Sequence, residues 1–116
     1  MTQKEFNEVA EEFLSSISGN LVHKGAEYDR SADGKDRFDD FKRAGALLGK
    51  DQENALIGFL AKHICSIYKM VEEGTDTWTK EKWIEKLTDA ASYLVLLRGM
   101  IEEDVKSGDA DKKAKQ

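Results

Sequence analysis

The sequence predicts an all-α fold, a four-helix bundle-like domain built around two long core helices at residues 52–73 and 80–104. Two observations support this prediction. The chain of 116 residues contains no proline, whereas sandwiches and barrels usually turn at Pro and Gly. Apolar residues also recur every three or four positions, which is the period of a helix with one buried face. We expect one helical domain over residues 1–106 and a disordered, charged tail over residues 107–116.

The first helix is predicted over residues 2–22, with Thr2 or a neighbouring residue as its N-terminal cap. Its solvent face is rich in glutamate, and Gly19 and Asn20 indicate that the helix frays or ends near them. The apolar face consists of Phe6, Val9, Phe13, Leu14, Ile17 and Leu21.

A charged loop is predicted over residues 24–36, KGAEYDRSADGKD, which contains two glycines and seven charged residues and has no apolar period. A loop of this length in a compact domain is usually functional or disordered. As a site it offers Lys24 to a phosphate, Glu27 to a cation or to sugar hydroxyls, and Tyr28 to a base. The alternative is a solvated surface loop that binds nothing.

A short helix is predicted over residues 37–48, with Phe38 and Phe41 in its apolar stripe. Gly49 follows at the position of a left-handed C-terminal cap. Asp51 is then a good N-terminal cap for the first core helix.

The two core helices are apolar around much of their circumference. On the first, this surface consists of Leu56, Phe59, Leu60, Ile64, Ile67, Tyr68 and Val71. On the second, it consists of Trp83, Ile84, Leu87, Ala90, Ala91, Leu94, Leu97 and Ile101. We expect residues 90–97, AASYLVLL, to be the most buried segment. The breadth of the apolar surface predicts that a second copy covers part of it, in a homodimer.

The composition disfavours several classes of function. The formal net charge is −5, whereas nucleic-acid binding normally needs a basic patch. No apolar run approaches the roughly 18 residues of a membrane span, and the charged N-terminus does not resemble a signal peptide. The single cysteine, Cys65, lies in an apolar helical stretch, so we expect a buried thiol and a reducing, cytoplasmic location.

Polar residues beside the apolar surface are the candidates for a site. They are Lys62, His63 and Ser66 on the first core helix, and Glu85, Asp89, Ser92 and Tyr93 on the second. If the helices pair antiparallel, these residues form a polar lane along the bundle. One interpretation is an ion pair that sets the register of the helices, Lys62–Asp89 or His63–Asp89. The other is a ligand site, in which Glu85 and Asp89 hold Mg²⁺. In that site Lys62 and His63 contact phosphate.

The order of these segments resembles a known family. The loop KGAEYD, the segment RFDDFKRAG and the helices ALIGFLAKHICSIYKM and EKWIEKLTDAASYLVLL lie within residues 20–104. Together they are similar to the small, often phage-borne MazG-like proteins of the all-α nucleoside-triphosphate pyrophosphatase superfamily. The resemblance implies a helical bundle that oligomerises and binds nucleotides with Mg²⁺. Active members cleave a (deoxy)nucleoside triphosphate to the monophosphate and pyrophosphate.

The acidic motifs of the family are only partly present. Members hold the metal with E-x-x-E on one core helix and E-x-x-D on the next. Asp89 matches the final acid, but the position three residues earlier is Lys86, with Glu85 one residue before it. Lys62 and His63 stand where acids of the first motif are expected. The resemblance thus implies Asp89 and Glu85 as catalytic and metal-binding residues. The candidate substrate contacts are Lys24, Glu27, Tyr28, Lys62 and His63.

Three functions remain open from the sequence. The first is a Mg²⁺-dependent nucleotide pyrophosphatase with a degenerate acidic motif. The second is a module that binds or sequesters a nucleotide without hydrolysis, which the missing first motif favours. The third is a helical protein–protein interaction domain in which the polar lane only sets register. The sequence alone does not decide between an enzyme and a binding protein.

Overall fold

The described part of the chain, residues 1–31 and 36–108 of a computed structural model, consists of α-helices and one 3-10 turn, with no strand. The helices are α1 (Gln3–Ser31), α2 (Asp39–Leu48), α3 (Gln52–Glu73) and α4 (Lys80–Lys106). Between residues 23 and 31 only the backbone is described. The all-α, bundle-like prediction is confirmed, and α3 has the predicted bounds. Most of the predicted tail, from residue 109, lies outside the described residues.

Helix α1 begins as predicted but extends further. The Thr2 hydroxyl accepts a hydrogen bond from the Glu5 backbone N–H at 3.1 Å, and the Glu5 carboxylate accepts one from the Thr2 backbone N–H at 3.0 Å. This reciprocal pair is a capping box. The helix then passes Gly19 and Asn20 without interruption and ends at Ser31.

The predicted helix end near residue 22 is therefore wrong, as is the predicted loop over residues 24–31. One helical glycine costs only about 1 kcal/mol relative to alanine, and a tertiary contact offsets that cost. The Asn20 side chain donates to the Ser92 hydroxyl on α4 at 3.0 Å, so α1 is held against its neighbour where the sequence predicts an end. Residues 32–35 of the predicted loop lie outside the described residues.

The turn between α2 and α3 has both predicted caps. Gly49 has a left-handed backbone, with φ of 68°, and its N–H donates to the carbonyl of Ala46. The Asp51 carboxylate accepts from the backbone N–H of Asn54 at 2.9 Å. Helix α2 starts at Asp39, later than predicted, because the residues just before it form a turn.

Helices α3 and α4 form an antiparallel pair. Gly74 ends α3, and the connector contains a 3-10 turn at Thr75–Thr77. The indole N–H of Trp83 donates to the carbonyl of Thr75 at 2.9 Å, which fastens the connector to α4. Thr79 caps α4 by accepting from the Lys82 backbone N–H at 3.1 Å. The first residue of α3 reaches the far end of α4, where Gln52 donates to Glu103 at 3.3 Å.

Among the described residues, the helices form an open row rather than a closed ring. Contacts between helices link α2 to α3, α3 to α4, and α4 to α1. The radius of gyration is 17.0 Å, whereas a compact domain of this length has about 13 Å. Few large apolar side chains are consequently buried. The buried apolar residues of the described part are Ile17, Ala55, Leu56, Leu60, Met70, Ala90 and Met100.

Much of the predicted core is exposed in the single chain. Phe59, Ile64, Tyr68 and Val71 on α3 are all exposed, as are Ile84, Leu87, Leu94 and Ile101 on α4. The expectation that residues 90–97 are the most buried segment is wrong, since Leu94 and Val95 are 55% and 46% exposed. Cys65 is also exposed, contrary to prediction. In each case the open row leaves one side of α3 and α4 uncovered. No described helix has the length and apolar character needed to cross a bilayer.

Candidate functional site

The antiparallel pairing of α3 and α4 brings His63 and Tyr93 together. Their ring centroids are 5.1 Å apart, with the rings tilted by 42°. Both side chains are half-buried. The structure thus joins one polar residue of α3 to one of α4, as an antiparallel polar lane requires.

Two phenylalanines extend this contact into an aromatic cluster, defined here as Phe41, Phe59, His63 and Tyr93. Phe41 of α2 meets Tyr93 edge to face, with centroids 6.3 Å apart, and meets Phe59 at 5.9 Å. Edge-to-face pairs stabilise by about 0.5–1.5 kcal/mol beyond the area they bury, so the rings hold one another in place. Phe59 is 42% exposed, so the cluster reaches the surface of the chain.

Asp89 lies beside this cluster, one helical turn before Tyr93 on α4, and is half-buried. Burial raises the pKa of the Tyr93 hydroxyl, and the nearby Asp89 carboxylate raises that pKa further. The Tyr93 hydroxyl therefore stays protonated at neutral pH and can donate a hydrogen bond. Side by side, Tyr93 and Asp89 offer a ligand one donor and two carboxyl oxygens.

Other members of the predicted polar lane point elsewhere. Ser92 is buried against α1, where its hydroxyl accepts from Asn20 and donates to the carbonyl of Thr88 at 2.8 Å. Lys62 is exposed, and within the described residues neither Lys62 nor His63 forms an ion pair with Asp89. The interpretation of the lane as a register-setting ion pair is therefore not supported.

The predicted metal ligands are Asp89 and Glu85, on one face of α4. The Glu85 side chain is 61% exposed and lies 3.7 Å from the Lys82 ammonium. Among the side chains that the structure describes, at residues 1–22 and 36–108, no group of three or more His, Cys, Asp or Glu could hold a metal ion. The described donors thus do not fit the four-carboxylate centre that the resemblance implies, although a Mg²⁺ that arrives with phosphates needs only one or two carboxylates.

The remaining candidate substrate contacts are Lys24, Glu27 and Tyr28. Their backbone belongs to α1 rather than to a loop. Their side chains lie outside the described residues, so their role stays a prediction.

Sequence reasoning missed a concave surface between the C-terminal half of α3 and the N-terminal half of α4. Lys69, Lys82 and Lys86 line it together with Trp78. One signal was present in the sequence, because Lys82 and Lys86 are four residues apart and share a helix face. Lys69, on α3, lies beside them only because α3 and α4 pair antiparallel.

Comparisons with known proteins give no match for this chain. No protein-family model matches it, and neither do the curated proteins or the solved structures.

Proposed function

We propose that this protein binds a nucleotide against the aromatic cluster and Asp89. The observation that supports this most directly is the meeting of His63 and Tyr93 between α3 and α4, with Asp89 one turn away. These groups combine flat rings, a nitrogen donor and a carboxylate, which suit a base, a phosphate and a sugar hydroxyl respectively. The resemblance to MazG-like proteins points to the same ligand class.

Each side chain has a distinct role in this proposal. The base stacks on an aromatic ring of the cluster. The edge-to-face contacts of Phe41 with Phe59 and with Tyr93 keep these rings in position. The His63 imidazole donates to a phosphate oxygen, and the protonated Tyr93 hydroxyl donates to a second acceptor. Asp89 accepts from a ribose hydroxyl, or, with Glu85, holds a Mg²⁺ that the phosphates bring. Lys24, Glu27, Tyr28 and Lys62 are the further contacts that the sequence predicts.

We propose binding, or sequestration, as the primary activity rather than hydrolysis. Activating water on a phosphoryl group with two metal ions requires a dense set of carboxylates around them. The two candidate carboxylates, Asp89 and Glu85, are four residues apart on α4, and Glu85 is largely exposed. Such a set of donors is better suited to binding a phosphate group than to hydrolysing a phosphoanhydride bond.

We further propose that the protein acts as a homodimer in the cytoplasm. Ile57, Ile64, Tyr68 and Val71 are exposed and spaced by seven, four and three residues on α3, which is one helical stripe. Exposed apolar surface of this extent usually marks an interface, and a second copy presents the same surface. An exposed, free Cys65 thiol is compatible with a reducing compartment.

A thermal-shift and calorimetric screen tests the nucleotide proposal. It covers nucleoside mono-, di- and triphosphates and cyclic nucleotides, with and without Mg²⁺, and reads pyrophosphate release from the same samples. We expect at least one nucleotide to raise the melting temperature, because ligand that binds only the folded state stabilises it. We expect no sustained turnover.

Two variants and one control locate the site. We expect Asp89→Asn and His63→Gln each to weaken nucleotide binding roughly tenfold, because each removes a charged or hydrogen-bonding contact. Glu81→Gln is the control, since it makes the same charge change as Asp89→Asn at an exposed position of α4. Pyrophosphate release that Asp89→Asn abolishes would instead establish an enzyme, and no shift with any nucleotide would refute the proposal.

A further inference from the structure

A groove lies between the C-terminal half of α3 and the N-terminal half of α4, beside the connector. Its volume is about 360 Å³, and its charged lining consists of Lys69, Lys82 and Lys86 with the single carboxylate of Glu73. We call it the lysine groove. Three ammonium groups against one carboxylate make it a local excess of positive charge in a chain whose net charge is −5. A concave surface lined by one sign of charge concentrates ions of the opposite sign.

The placement of Lys82 does not serve the stability of its helix. Lys82 lies in the first turn of α4, three residues after the Thr79 cap. A helix N-terminus already carries partial positive charge, so a cation there is unfavourable and an anion is favourable. The nearest carboxylate to its ammonium is Glu85 at 3.7 Å, a long and partly exposed ion pair. The arrangement is therefore better suited to receive an anion than to hold α4 together.

The groove also has an apolar floor. The Met70 side chain, 3% exposed, and the Trp78 ring contribute to its lining. The two tryptophans differ here, because Trp83 fastens the connector through its hydrogen bond to Thr75, whereas Trp78 lines the groove. The Ser66 hydroxyl adds a neutral hydrogen-bonding group. A ligand with a charged end and a flat or apolar end would match both parts.

We propose that the lysine groove binds a small phosphate-bearing anion, with its phosphates on Lys69, Lys82 and Lys86 and its apolar part on Trp78. Lysine ammonium groups are compact point charges that bind phosphate without a fixed geometry. The groove shares no lining residue with the aromatic cluster, and its nearest lining residues, Ser66 and Lys86, lie about one helical turn from His63 and Asp89. The inference therefore holds whether or not a nucleotide binds at the cluster.

Calorimetric titration with inorganic triphosphate tests the anion site without a base or a sugar. We expect wild-type protein to bind triphosphate, and the affinity to fall as salt is raised, because exposed charges are screened. Lys82→Gln and Lys86→Gln should each weaken binding about five- to tenfold. Lys80→Gln is the matched control: it removes the same charge from the same end of α4, but Lys80 does not line the groove. It should change the affinity less than about twofold.

A second set of variants separates this site from the nucleotide proposal. Asp89→Asn and His63→Gln alter the aromatic cluster and its neighbour but no lining residue of the groove, so neither should weaken triphosphate binding more than about twofold. Trp78→Leu should also leave inorganic triphosphate unaffected, yet weaken adenosine triphosphate roughly threefold by removing the stacking surface. Circular dichroism verifies that every variant keeps its helical content.

The outcomes decide between the two proposals. Triphosphate binding that depends on Lys82 and Lys86 but not on Lys80 supports the lysine groove, even if no nucleotide binds. Absence of triphosphate binding, or equal losses in all three lysine variants, overturns it. If triphosphate does not bind while nucleotide binding requires His63 and Asp89, the lysine groove is overturned and the proposed function stands.

Discussion

At the scale of single residues, the most informative group is Glu53 in the first turn of α3. Burial raises the pKa of its carboxyl, and a hydrogen bond with Asp104 near the end of α4 raises that pKa further. A proton shared between two carboxyls holds them together only while it is present. The contact between the start of α3 and the end of α4 is therefore sensitive to pH.

We predict that Glu53→Gln stabilises the protein at neutral pH. A carboxyl whose pKa is higher in the folded than in the unfolded chain binds more protons when folded. The free energy of unfolding consequently falls as pH rises from the ordinary glutamate pKa, 4.5, through the raised value. Since glutamine is neutral at every pH, we expect the variant to melt roughly 3 °C above wild type at pH 7, with a smaller difference at pH 4.

Melting curves between pH 4 and pH 7 check this, with Glu72→Gln, an exposed position on α3, as the control. A variant less stable than wild type at pH 7 would contradict the prediction.

Asp36 acts in the opposite sense, because a hydrogen bond from Lys42 lowers its pKa. The ionised Asp36 carboxylate stabilises the folded chain, and this stabilisation is lost only as pH falls through the lowered pKa, below the ordinary aspartate value of 3.8. The stabilisation is small because the side chains of Asp36 and Lys42 are both well exposed.

At the scale of helices, the close approach of α2 to the start of α3 depends on a glycine within α2. A Cβ atom on Gly45 would lie 2.6 Å from the carbonyl oxygens of Lys50 and Asp51, and both are backbone atoms that cannot rotate away. The carbonyl of Gly45 also accepts from the N–H of Lys50 at 2.8 Å. The sharp turn between the two helices therefore needs a residue without a side chain at this position.

We predict opposite effects of alanine at two helical glycines. Gly45→Ala should destabilise the fold by about 2–3 kcal/mol, because the turn must open to admit a methyl group. Gly58→Ala should stabilise it by about 0.5–1 kcal/mol, because nothing lies within 4 Å of a Cβ atom there and alanine is the better helix former. Urea unfolding measures both, and a neutral Gly45→Ala would show that the α2–α3 turn is looser than described.

At the scale of the whole molecule, the main feature is the uncovered side of the open row. Large apolar side chains on α1, α3 and α4 remain exposed, including Leu14 at 65% and Ile64 at 52%. Each exposed stripe has the spacing of a buried helix face. A chain that kept these stripes in water would be poorly soluble, and the proposed homodimer would cover them.

We predict a dimer in solution, with a mass of about 26 kDa, twice the 13.1 kDa of one chain. Ile64→Glu and Leu94→Glu place a charge on the uncovered side of α3 and α4, and each should shift the protein to monomer and lower its melting temperature. Leu47→Glu is the control, because Leu47 of α2 is 88% exposed and lies outside both stripes. Light scattering over a range of protein concentrations gives the mass. A monomer at about 100 µM, the highest concentration tested, would refute the dimer.

Local signals predicted the helices well, and they failed where a distant contact decided the outcome. The caps at Gly49 and Asp51 form through neighbouring residues, and both are present. Asn20 instead finds its partner, Ser92, on another helix, so no local reading could show that α1 continues past it. The burial of apolar side chains on α3 and α4 was overpredicted for the same reason. The extent of the apolar surface of a helix does not show whether another part of the same chain packs against it.

The sequence by itself determined the helical class, the bounds of α3 and the chemistry available on α3 and α4, since capping, period and residue type act within a few residues of chain. Only the tertiary structure decided which of those side chains meet. It joined His63 to Tyr93, turned Ser92 toward α1, left Cys65 exposed, and gathered three lysines into one groove. The physical reason is that such meetings depend on the register and rotation of packed helices, which side-chain packing over the whole molecule sets.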